Sequence, residues 1–318
     1  MANRPLPPGT KLGDYTLVRR ISNGGQGMVY LARTKSGLPV VIKEYLPQHL
    51  NLRTQGERVH MFNSNEYGVF EAGMKDFFAE NEILTKIKHP NVVQVLDSFK
   101  LNNTAYSVME YIYGQSLQQV IRSSEGGMRE SFIRKVFLDV LSGLAYLHDN
   151  RILHLDIKPS NIYVTHQGKA MLLDFGTAWL LDLDESQDKK KKPPMHTPGF
   201  APPEQHKQYY AQKRIGTHTD MYALGASLRA CVSGKPPKVS VNRIEGGNWR
   251  DAQEQWMGYY SPWLLEWIDG LTTLEWDKRP KSAIEVWNAF DRATPLNHEN
   301  SIRTHLYRLI SRTHESHE

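Results

Sequence analysis

The chain has 318 residues, of which 40% are hydrophobic and 23% are charged, and its formal net charge is +5. These proportions are typical of a folded protein and exclude a chain that is disordered throughout. The positive excess is concentrated in Lys189–Lys192, which argues against an extended nucleic-acid-binding face. The single cysteine, Cys231, excludes an intramolecular disulfide, and no run approaches the roughly 18 apolar residues of a membrane span. We therefore expect a soluble, cytoplasmic protein.

The residues from Tyr15 to Lys43 predict three antiparallel strands, because short runs of β-branched and aromatic residues alternate with glycine-containing turns. The first turn contains Gly24, Gly25 and Gly27, which would let backbone N–H groups approach a phosphate. No Gly-Lys-Ser/Thr follows, which excludes a Walker loop, and the strand that follows argues against a Rossmann turn. A plain hairpin is the alternative for this turn.

A helix is predicted after this sheet, from Lys75 onward, and it carries a candidate acidic partner for Lys43. Glu80 falls on the same helical face as Phe77, whereas Glu82 points about 200° away from Glu80. Lys43 closes the run VVIK, which is similar to the lysine-bearing strand of eukaryotic-type protein kinases, and this resemblance implies that Glu80 pairs with Lys43. A surface carboxylate is the alternative for this residue.

The long segment between Lys43 and Glu80 predicts an insertion at about 46–74. It mixes proline, glycine and asparagine with aromatic residues, as an ordered loop does. The insertion would either reposition the helix that carries Glu80 or dock a partner. A tolerated surface elaboration is equally compatible with the sequence. Beyond the helix, Asn91 to Val95 and Ala105 to Tyr111 predict two further strands.

The stretch from Ile152 to Gly176 concentrates the polar residues that carry chemistry. Asp156, Lys158 and Asn161 lie close together, and two short apolar runs then lead to Asp174. A hairpin made of those runs would bring Asn161 and Asp174 side by side. Magnesium prefers carboxylate and amide oxygens, so the pair is a candidate metal site. A proton acceptor, a cation and a metal pair are the parts that phosphoryl transfer uses.

The motif HLDIKPSN followed by DFG resembles the catalytic loop and the magnesium motif of eukaryotic-type protein kinases. Most of that family's motifs follow in order from Tyr15 to Arg292, and the chain looks most like the bacterial members. The resemblance implies an α+β bilobal kinase fold, with a β-rich N-lobe containing one main helix (about 15–111) and a larger α-helical C-lobe (about 115–292). Residues 1–14 would be an N-terminal extension. Residues 293–318 would be a tail with a short basic amphipathic helix.

The resemblance also implies the substrate and the metal of the reaction, namely ATP and Mg²⁺, with Mn²⁺ as an alternative. Asp156 would orient the substrate hydroxyl and accept its proton, while Lys158 would neutralise the transferring phosphoryl group. Asn161 and Asp174 would hold the metal. The residues implied in nucleotide binding are Ser22, Gly24, Gly25, Gly27, Val29, Val41, Lys43, Met109, Glu110, Ile112 and Tyr163.

The sequence HTPGFAPPEQ is similar to the family's GTPxYxAPEQ segment, with Pro202 in place of the alanine. Thr197 would bridge the catalytic aspartate and lysine, and Glu204 would pair with Arg279. Asp220 resembles the buried helix residue that anchors the catalytic loop in this family. The lysine in HLDIKPSN and the threonine in HTPGF both favour serine and threonine substrates.

Two departures from the family pattern bear on regulation. Ser22 replaces the first glycine of the glycine-rich loop, and Leu155 replaces the arginine that normally precedes the catalytic aspartate. Without that arginine, the pocket for an activation-loop phosphate lacks a member. We therefore predict that activity does not need phosphorylation of the segment from Thr177 to Met195.

Two other functions remain open from the sequence alone. A pseudokinase scaffold that binds nucleotide would explain Ser22, Leu155 and Pro202, and a small-molecule kinase of related fold is the second alternative. The expected partners are proteins with serine or threonine acceptors, the chain itself by autophosphorylation, and docking partners at 46–74 or 300–312. We expect neither nucleic-acid binding nor a transmembrane segment.

Overall fold

The computed structural model divides the chain into two compact units, Met1–Ile112 (unit 1) and Tyr113–Glu318 (unit 2). The boundaries expected from the sequence, about 15–111 and 115–292, remain a prediction. The structure describes residues 3–25, 27–48, 50, 53, 56–60, 64–124, 127–175, 179–180, 196–210 and 215–293.

Unit 1 is built on a six-stranded antiparallel sheet. Its strands are β1 (Lys11–Leu12), β2 (Tyr15–Gly24), β3 (Gly27–Thr34), β4 (Pro39–Tyr45), β5 (Val95–Leu101) and β6 (Thr104–Glu110). Their order across the sheet is β1-β2-β3-β4-β6-β5. The three strands predicted between Tyr15 and Lys43 are confirmed as β2, β3 and β4.

The strand predicted at Asn91 to Val95 is wrong, because β5 begins only at Val95. The preceding residues form a turn in which the Val92 N–H donates to the His89 carbonyl at 3.1 Å. The register of β5 is fixed further along the chain, where Asn102 and Asn103 connect β5 to β6 with φ values of 52° and 59°. Positive φ at both central residues is the requirement of a two-residue hairpin turn, and asparagine tolerates it.

The main helix of unit 1, α1 (Ser64–Leu84), has 21 residues and begins well before Lys75, where the sequence predicted its start. The second part of the predicted insertion is therefore continuous with the helix. Gly68 and Gly73 obscure this in the sequence, since each glycine costs about 1 kcal/mol in a helix interior relative to alanine. Burial of Phe70 and Phe77 against the rest of unit 1 offsets that cost.

One face of the sheet is covered by residues that precede β1 in the sequence and by residues that lie between β4 and β5. Leu6 from the predicted N-terminal extension, with Leu50 and Val59 from the predicted insertion, joins one buried core cluster with the sheet. At its centre Arg53 and Glu44 form an ion pair with both side chains fully buried. These contacts make residues 3–14 part of the packed structure of unit 1.

Unit 2 is largely helical and carries two small sheets. Its strands are β7 (Gly114–Ser116), β8 (Ile152–Leu153), β9 (Ile162–Thr165), β10 (Ala170–Leu172) and β11 (Trp179–Leu180). Its helices are α2 (Leu117–Ser123), α3 (Glu130–Asp149), α4 (Lys207–Tyr210), α5 (Thr217–Ser233), α6 (Ser240–Ile244), α7 (Ala252–Trp256), α8 (Pro262–Leu271) and α9 (Ala283–Ala293). The β-rich unit and the helical unit confirm the predicted α+β class.

The helices of unit 2 supply its core. The apolar face of α3 is buried, and α5 is buried along most of its length, including Cys231. No helix in the part of the chain that the structure describes is long and apolar enough to cross a membrane. The predicted tail helix at 300–312 lies outside the described residues, as do Lys189–Lys192.

Candidate active site

The backbone of the catalytic loop is held at both polar groups of Leu155, the residue before Asp156. The Leu155 N–H donates to Asp220 Oδ1 at 2.7 Å, and Gln205 Nε2 donates to the Leu155 carbonyl at 2.8 Å. Leu155 has a φ of 59°, a conformation that bulky residues rarely adopt. The surrounding bonds therefore stabilise a strained backbone at the point that presents Asp156.

Asp220 lies in the first turn of α5 and is fully buried. Besides Leu155, its carboxylate accepts the His154 N–H at 2.9 Å and lies 2.9 Å from His148 Nε2. Burial alone would raise the pKa of Asp220, but the hydrogen bond and charge of His148 and the contacts with His154 hold it below its ordinary value. The loop is thus anchored to a carboxylate on a core helix.

The side chain of Asp156 accepts hydrogen bonds at both carboxylate oxygens. Lys158 Nζ lies 2.6 Å from Oδ2, and Thr197 Oγ1 donates to Oδ1 at 2.7 Å. Lys158 Nζ also donates to Thr197 Oγ1 at 2.7 Å, which closes a three-membered network. Asn161 Nδ2 adds bonds to the Asp156 carbonyl and to Oδ2 at 2.9 and 3.0 Å. The carboxylate is oriented, and Oδ1, which accepts the Thr197 hydroxyl, has a second lone pair for a substrate hydroxyl.

The β9–β10 hairpin brings the two candidate metal ligands to the same end. Ile162 pairs with Leu172, and the Leu173 N–H donates to the Asn161 carbonyl at 2.8 Å, so Asp174 follows directly beside Asn161. The bonds of Asn161 Nδ2 to Asp156 direct the amide oxygen away from that carboxylate. An amide oxygen and a carboxylate are hard donors that fit Mg²⁺. Gly176 of the DFG motif lies outside the described residues.

A buried ion pair fixes the segment that follows Thr197. Arg279 Nη1 lies 2.6 Å from Glu204 Oε1, and neither side chain is exposed. Arg279 Nη2 donates to Glu204 Oε2 at 3.3 Å, and Arg279 also donates to carbonyls, including that of Thr273 at 2.7 Å. The structure thus pairs the two residues that the resemblance placed together, and the pair anchors the segment that carries Gln205.

In unit 1, five residues implied in nucleotide binding share one face of the sheet. Val29 pairs with Lys43 across β3 and β4, and Val41 pairs with Met109 across β4 and β6. Directly paired residues of an antiparallel sheet project to the same side, as do alternate residues of one strand. Ser22 pairs with Val29 and joins this face.

The glycine-rich turn has a packing requirement that the sequence did not reveal. A Cβ at Gly27 would lie 1.8 Å from the Glu44 carbonyl oxygen, so β4 approaches too closely for any other residue. Gly24 pairs with Gly27, and Gly25 begins the turn, whose next residue is outside the described residues. A role in phosphate binding remains a prediction for all three glycines.

The structure places Glu80 and Lys43 on the same side of the sheet. Ser107 pairs with Lys43, and the Ser107 hydroxyl donates to Asn81 Oδ1 at 2.5 Å. Asn81, the residue after Glu80, is therefore hydrogen-bonded to Ser107, the residue that pairs with Lys43. Ion pairing between Lys43 and Glu80 remains a prediction from the sequence.

The remaining nucleotide-binding candidates lie on either side of the unit boundary. The Glu110 side chain accepts the Gln94 N–H at 2.9 Å, a structural role that sequence reasoning missed. Ile112 is the last residue of unit 1. Tyr163 lies on β9 in unit 2, where it pairs with Met171.

Sequence reasoning also missed two residues that act on the catalytic loop. Gln205 and His148 were passed over, although Gln205 ends the APPEQ segment and His148 closes α3 a few residues before the loop. Their proximity to the motifs was the available signal. The packing of Leu155 was missed too: it forms an apolar cluster with Leu153 and Ile215.

Comparison with known proteins gives a consistent result. The family model described as "Protein kinase domain" matches residues 15–285. A probable serine/threonine-protein kinase of Dictyostelium discoideum is 30% identical over 232 residues, which is 73% of this chain and 41% of that protein. A brassinosteroid LRR receptor kinase of Oryza sativa is 32% identical over 240 residues, 74% of this chain and 19% of that protein. The chain thus spans less than half the length of these curated relatives.

A solved structure, PpkA-294 in its apo form, is also similar to this chain. It has a TM-score of 0.75 and 29% sequence identity, and the similarity covers 90% of this chain and 99% of that one. The predicted kinase fold is therefore confirmed. The chain belongs to the protein kinase family, and its similarities place it with the eukaryotic-type serine/threonine protein kinases, as its motifs predicted.

Proposed function

We propose that this chain transfers the γ-phosphoryl group of ATP to serine or threonine hydroxyls of proteins, with Asp156 as the residue that receives the substrate hydroxyl. The observation that carries the proposal is the closed network of Asp156, Lys158 and Thr197. A proton acceptor is most effective when it is positioned before the reaction begins. The network supplies that positioning.

Each residue of the network has a distinct chemical task. Asp156 Oδ1 accepts the hydrogen bond of the incoming hydroxyl and, late in the transfer, its proton. Lys158 stabilises the negative charge that develops on the transferred group. Asn161 and Asp174 would hold Mg²⁺, which supplies charge neutralisation at the phosphates when bound. Lys43, oriented by Glu80, would bind the α- and β-phosphates.

The preference for serine and threonine is supported by Lys158 and Thr197. Their 2.7 Å hydrogen bond places a cation and a hydroxyl beside Asp156. The aliphatic hydroxyls of serine and threonine have to approach the carboxylate closely, which this compact arrangement favours. The alternatives of a pseudokinase scaffold and of a small-molecule kinase are outcomes of the experiment below.

We also propose that the catalytic loop does not need a phosphate on the segment from Thr177 to Met195. In its apolar cluster with Leu153 and Ile215, Leu155 is 2% exposed. Its carbonyl and N–H are bound by Gln205 and Asp220. These contacts hold the loop although Leu155 replaces the arginine of the cationic pocket. The turnover of phosphatase-treated enzyme tests this proposal.

The proposed partners follow from the reaction. They are proteins with serine or threonine acceptors, and the chain itself where autophosphorylation occurs. Docking at 46–74 or 300–312 stays a prediction, as do a cytoplasmic location, the choice of Mg²⁺ over Mn²⁺, and the absence of nucleic-acid binding.

The experiment is transfer of labelled phosphoryl from ATP, in the presence of Mg²⁺, to a mixture of serine, threonine and tyrosine peptides. Wild type should label serine or threonine peptides, and Asp156→Asn should not. Asp149→Asn is the matched control, since it makes the same change at an exposed position of α3 and should behave as wild type. Absence of peptide labelling by the wild type would refute the protein-kinase function and leave the scaffold and the small-molecule kinase as alternatives, and equal transfer by Asp156→Asn would refute the assignment of Asp156.

A further inference from the structure

Helix α1 carries Glu80, and a contact two turns before Glu80 determines where the helix lies on unit 1. Gly73, Phe77 and Glu80 follow one another at helical spacings of four and three residues, so they share one face of α1. Gly73 and Glu80 are two turns apart, about 10.5 Å along the axis. A displacement at Gly73 is therefore transmitted to Glu80 by a rigid element.

The contact at Gly73 is made with Tyr45, the last residue of β4. A Cβ at Gly73 would lie 2.1 Å from the Tyr45 hydroxyl oxygen and 3.1 Å from Cζ, distances at which something has to move. The Tyr45 ring lies beside Phe70 and Phe77, with centroid distances of 5.2 and 5.6 Å. Because both phenylalanines are buried on α1 itself, the ring has little freedom to move away. The helix lies against this ring, and a larger residue at Gly73 would have to displace either the ring or the helix.

Strand β4 also carries Lys43, so the contact between Tyr45 and Gly73 places α1 relative to that lysine. Lys43 and Tyr45 are alternate residues of β4 and project to the same side. The Tyr45 carbonyl accepts the Thr104 hydroxyl at 2.5 Å, which ties the end of β4 to β6. Position and direction of the Tyr45 ring are thus set by the strand that presents Lys43.

A second contact fixes the helix just beyond Glu80. Asn81 is 4% exposed, accepts the Ser107 hydroxyl at 2.5 Å, and donates to the Phe77 carbonyl at 2.6 Å. Ser107 is the residue opposite Lys43. Glu80 therefore lies between two contacts of α1, one with Tyr45 on β4 and one with Ser107 on β6. Both strands belong to unit 1.

We propose that Tyr45 and Gly73 are positioning residues that hold α1 at the height at which Glu80 meets Lys43, so that unit 1 presets this helix by its own packing. The proposal rests on the proposed function, because it assigns a task to the pairing of Lys43 and Glu80. Neither residue touches the substrate. Both act through the placement of Glu80.

The test is Gly73→Ala, alone and combined with Tyr45→Phe. A displacement of about 1 Å is enough to cost about 10²-fold in rate, so Gly73→Ala should lower kcat/KM for ATP by about 10- to 100-fold. Tyr45→Phe removes the oxygen that the new Cβ meets, so the double variant should recover most of the loss. Tyr45→Phe alone should resemble wild type. Failure of the double variant to recover, or an unimpaired Gly73→Ala, would overturn the proposal.

The matched control is Gly68→Ala, on the same helix. A Cβ at Gly68 meets nothing within 4 Å, so this variant gains helix propensity without a collision. Its kcat/KM should equal that of wild type. A loss equal to that of Gly73→Ala would show that the effect comes from the helix in general and would contradict the proposal.

Hydrogen exchange of the amides of residues 78–84 gives a readout that does not depend on activity. Gly73→Ala should increase exchange there, and Tyr45→Phe should reverse the increase, with the melting temperature of the whole chain held as a control. Should Gly73→Ala fail to fold, Tyr45→Leu tests the same contact by removing the ring, and unchanged exchange would refute it. If the wild type transfers no phosphoryl group, the proposed function fails, while exchange still tests the contact itself.

Discussion

The two units hold their functional residues in different ways. In unit 2 the catalytic loop is held by hydrogen bonds to polar residues that lie in or near short motifs, such as Asp220 and Gln205. In unit 1 the residues near Lys43 are placed by burial of segments outside the short motifs, around the ion pair of Arg53 and Glu44. The support in unit 2 comes from residues in or near the motifs, whereas the support in unit 1 depends on packing between segments distant in sequence.

This difference has a consequence for mutation. A change in the network of Asp156, Lys158 and Thr197 in unit 2 should reduce catalysis with little effect on stability, because the ion pair of Asp156 and Lys158 is only partly buried. A change in the buried cluster of unit 1 should reduce stability first. The predictions below separate the two kinds of support, in order of decreasing effect.

The largest effect is expected for Asp156→Asn. Loss of a positioned proton acceptor costs about 10²- to 10⁴-fold in rate. The amide retains the size of the carboxylate, so thermal unfolding should change little. Steady-state kinetics with a serine or threonine peptide measure the rate, and calorimetry measures the melting temperature. A strong fall in melting temperature would show that Asp156 supports the fold instead.

Arg53→Met should give the largest loss of stability in unit 1. The substitution leaves Glu44 buried without its partner, although the Tyr30 and Tyr106 hydroxyls still bind it, and breaking a buried pair costs about 3–5 kcal/mol. Urea unfolding measures this free energy.

Two companion variants sharpen that prediction. Arg53→Met with Glu44→Gln removes the uncompensated charge and should recover part of the loss. Lys35→Met is the surface control, because the exposed pair of Lys35 and Asp14 contributes about 0–1 kcal/mol. Equal losses of unfolding free energy for Arg53→Met and Lys35→Met would contradict the role given to the buried cluster.

Gln205→Ala should weaken the hold on the catalytic loop. It leaves the buried Leu155 carbonyl without its 2.8 Å donor, a loss of about 1–3 kcal/mol, and it frees a strained backbone. We expect kcat to fall while KM for ATP stays near its wild-type value, because the lesion affects Asp156 and not the nucleotide. A change confined to KM would show that Gln205 acts elsewhere.

The smallest effect is the pH dependence contributed by Asp220. Its pKa in the folded protein lies below the ordinary value of 3.8, because His148 and the His154 contacts outweigh the effect of burial. The unfolded chain therefore binds the proton more readily, and the stabilisation is present above pH 3.8 and lost as the pH falls below it. Asp220→Asn should flatten the slope of unfolding free energy against pH in this range. An unchanged slope would contradict the assignment.

The sequence predicted most of what depends on local pattern. The strands β2 to β4 and the hairpin that joins Asn161 to Asp174 follow from periodicity and turn residues. Long-range packing was not predictable in the same way. Nothing in the sequence around Arg53 indicates that it reaches Glu44, and the two glycines of α1 concealed the first turns of the helix.

The candidate site shows the same limit. Residues in motifs were identified because the chemistry fixes their type and spacing, as with Asp156 and Lys158. Gln205 and Tyr45 were not, because their tasks arise from contacts with backbone or ring atoms distant in sequence. The residue type alone carries no sign of such a contact.

The turnover of phosphatase-treated wild-type enzyme tests the central claim most directly. We propose that contacts of Leu155, Gln205 and Asp220 fix the catalytic loop without a phosphate on the segment from Thr177 to Met195. Treated enzyme, freed of phosphatase and verified by mass spectrometry to carry no phosphate, should keep the initial kcat of the untreated enzyme. Loss of most of that turnover, restored on rephosphorylation, would contradict the account.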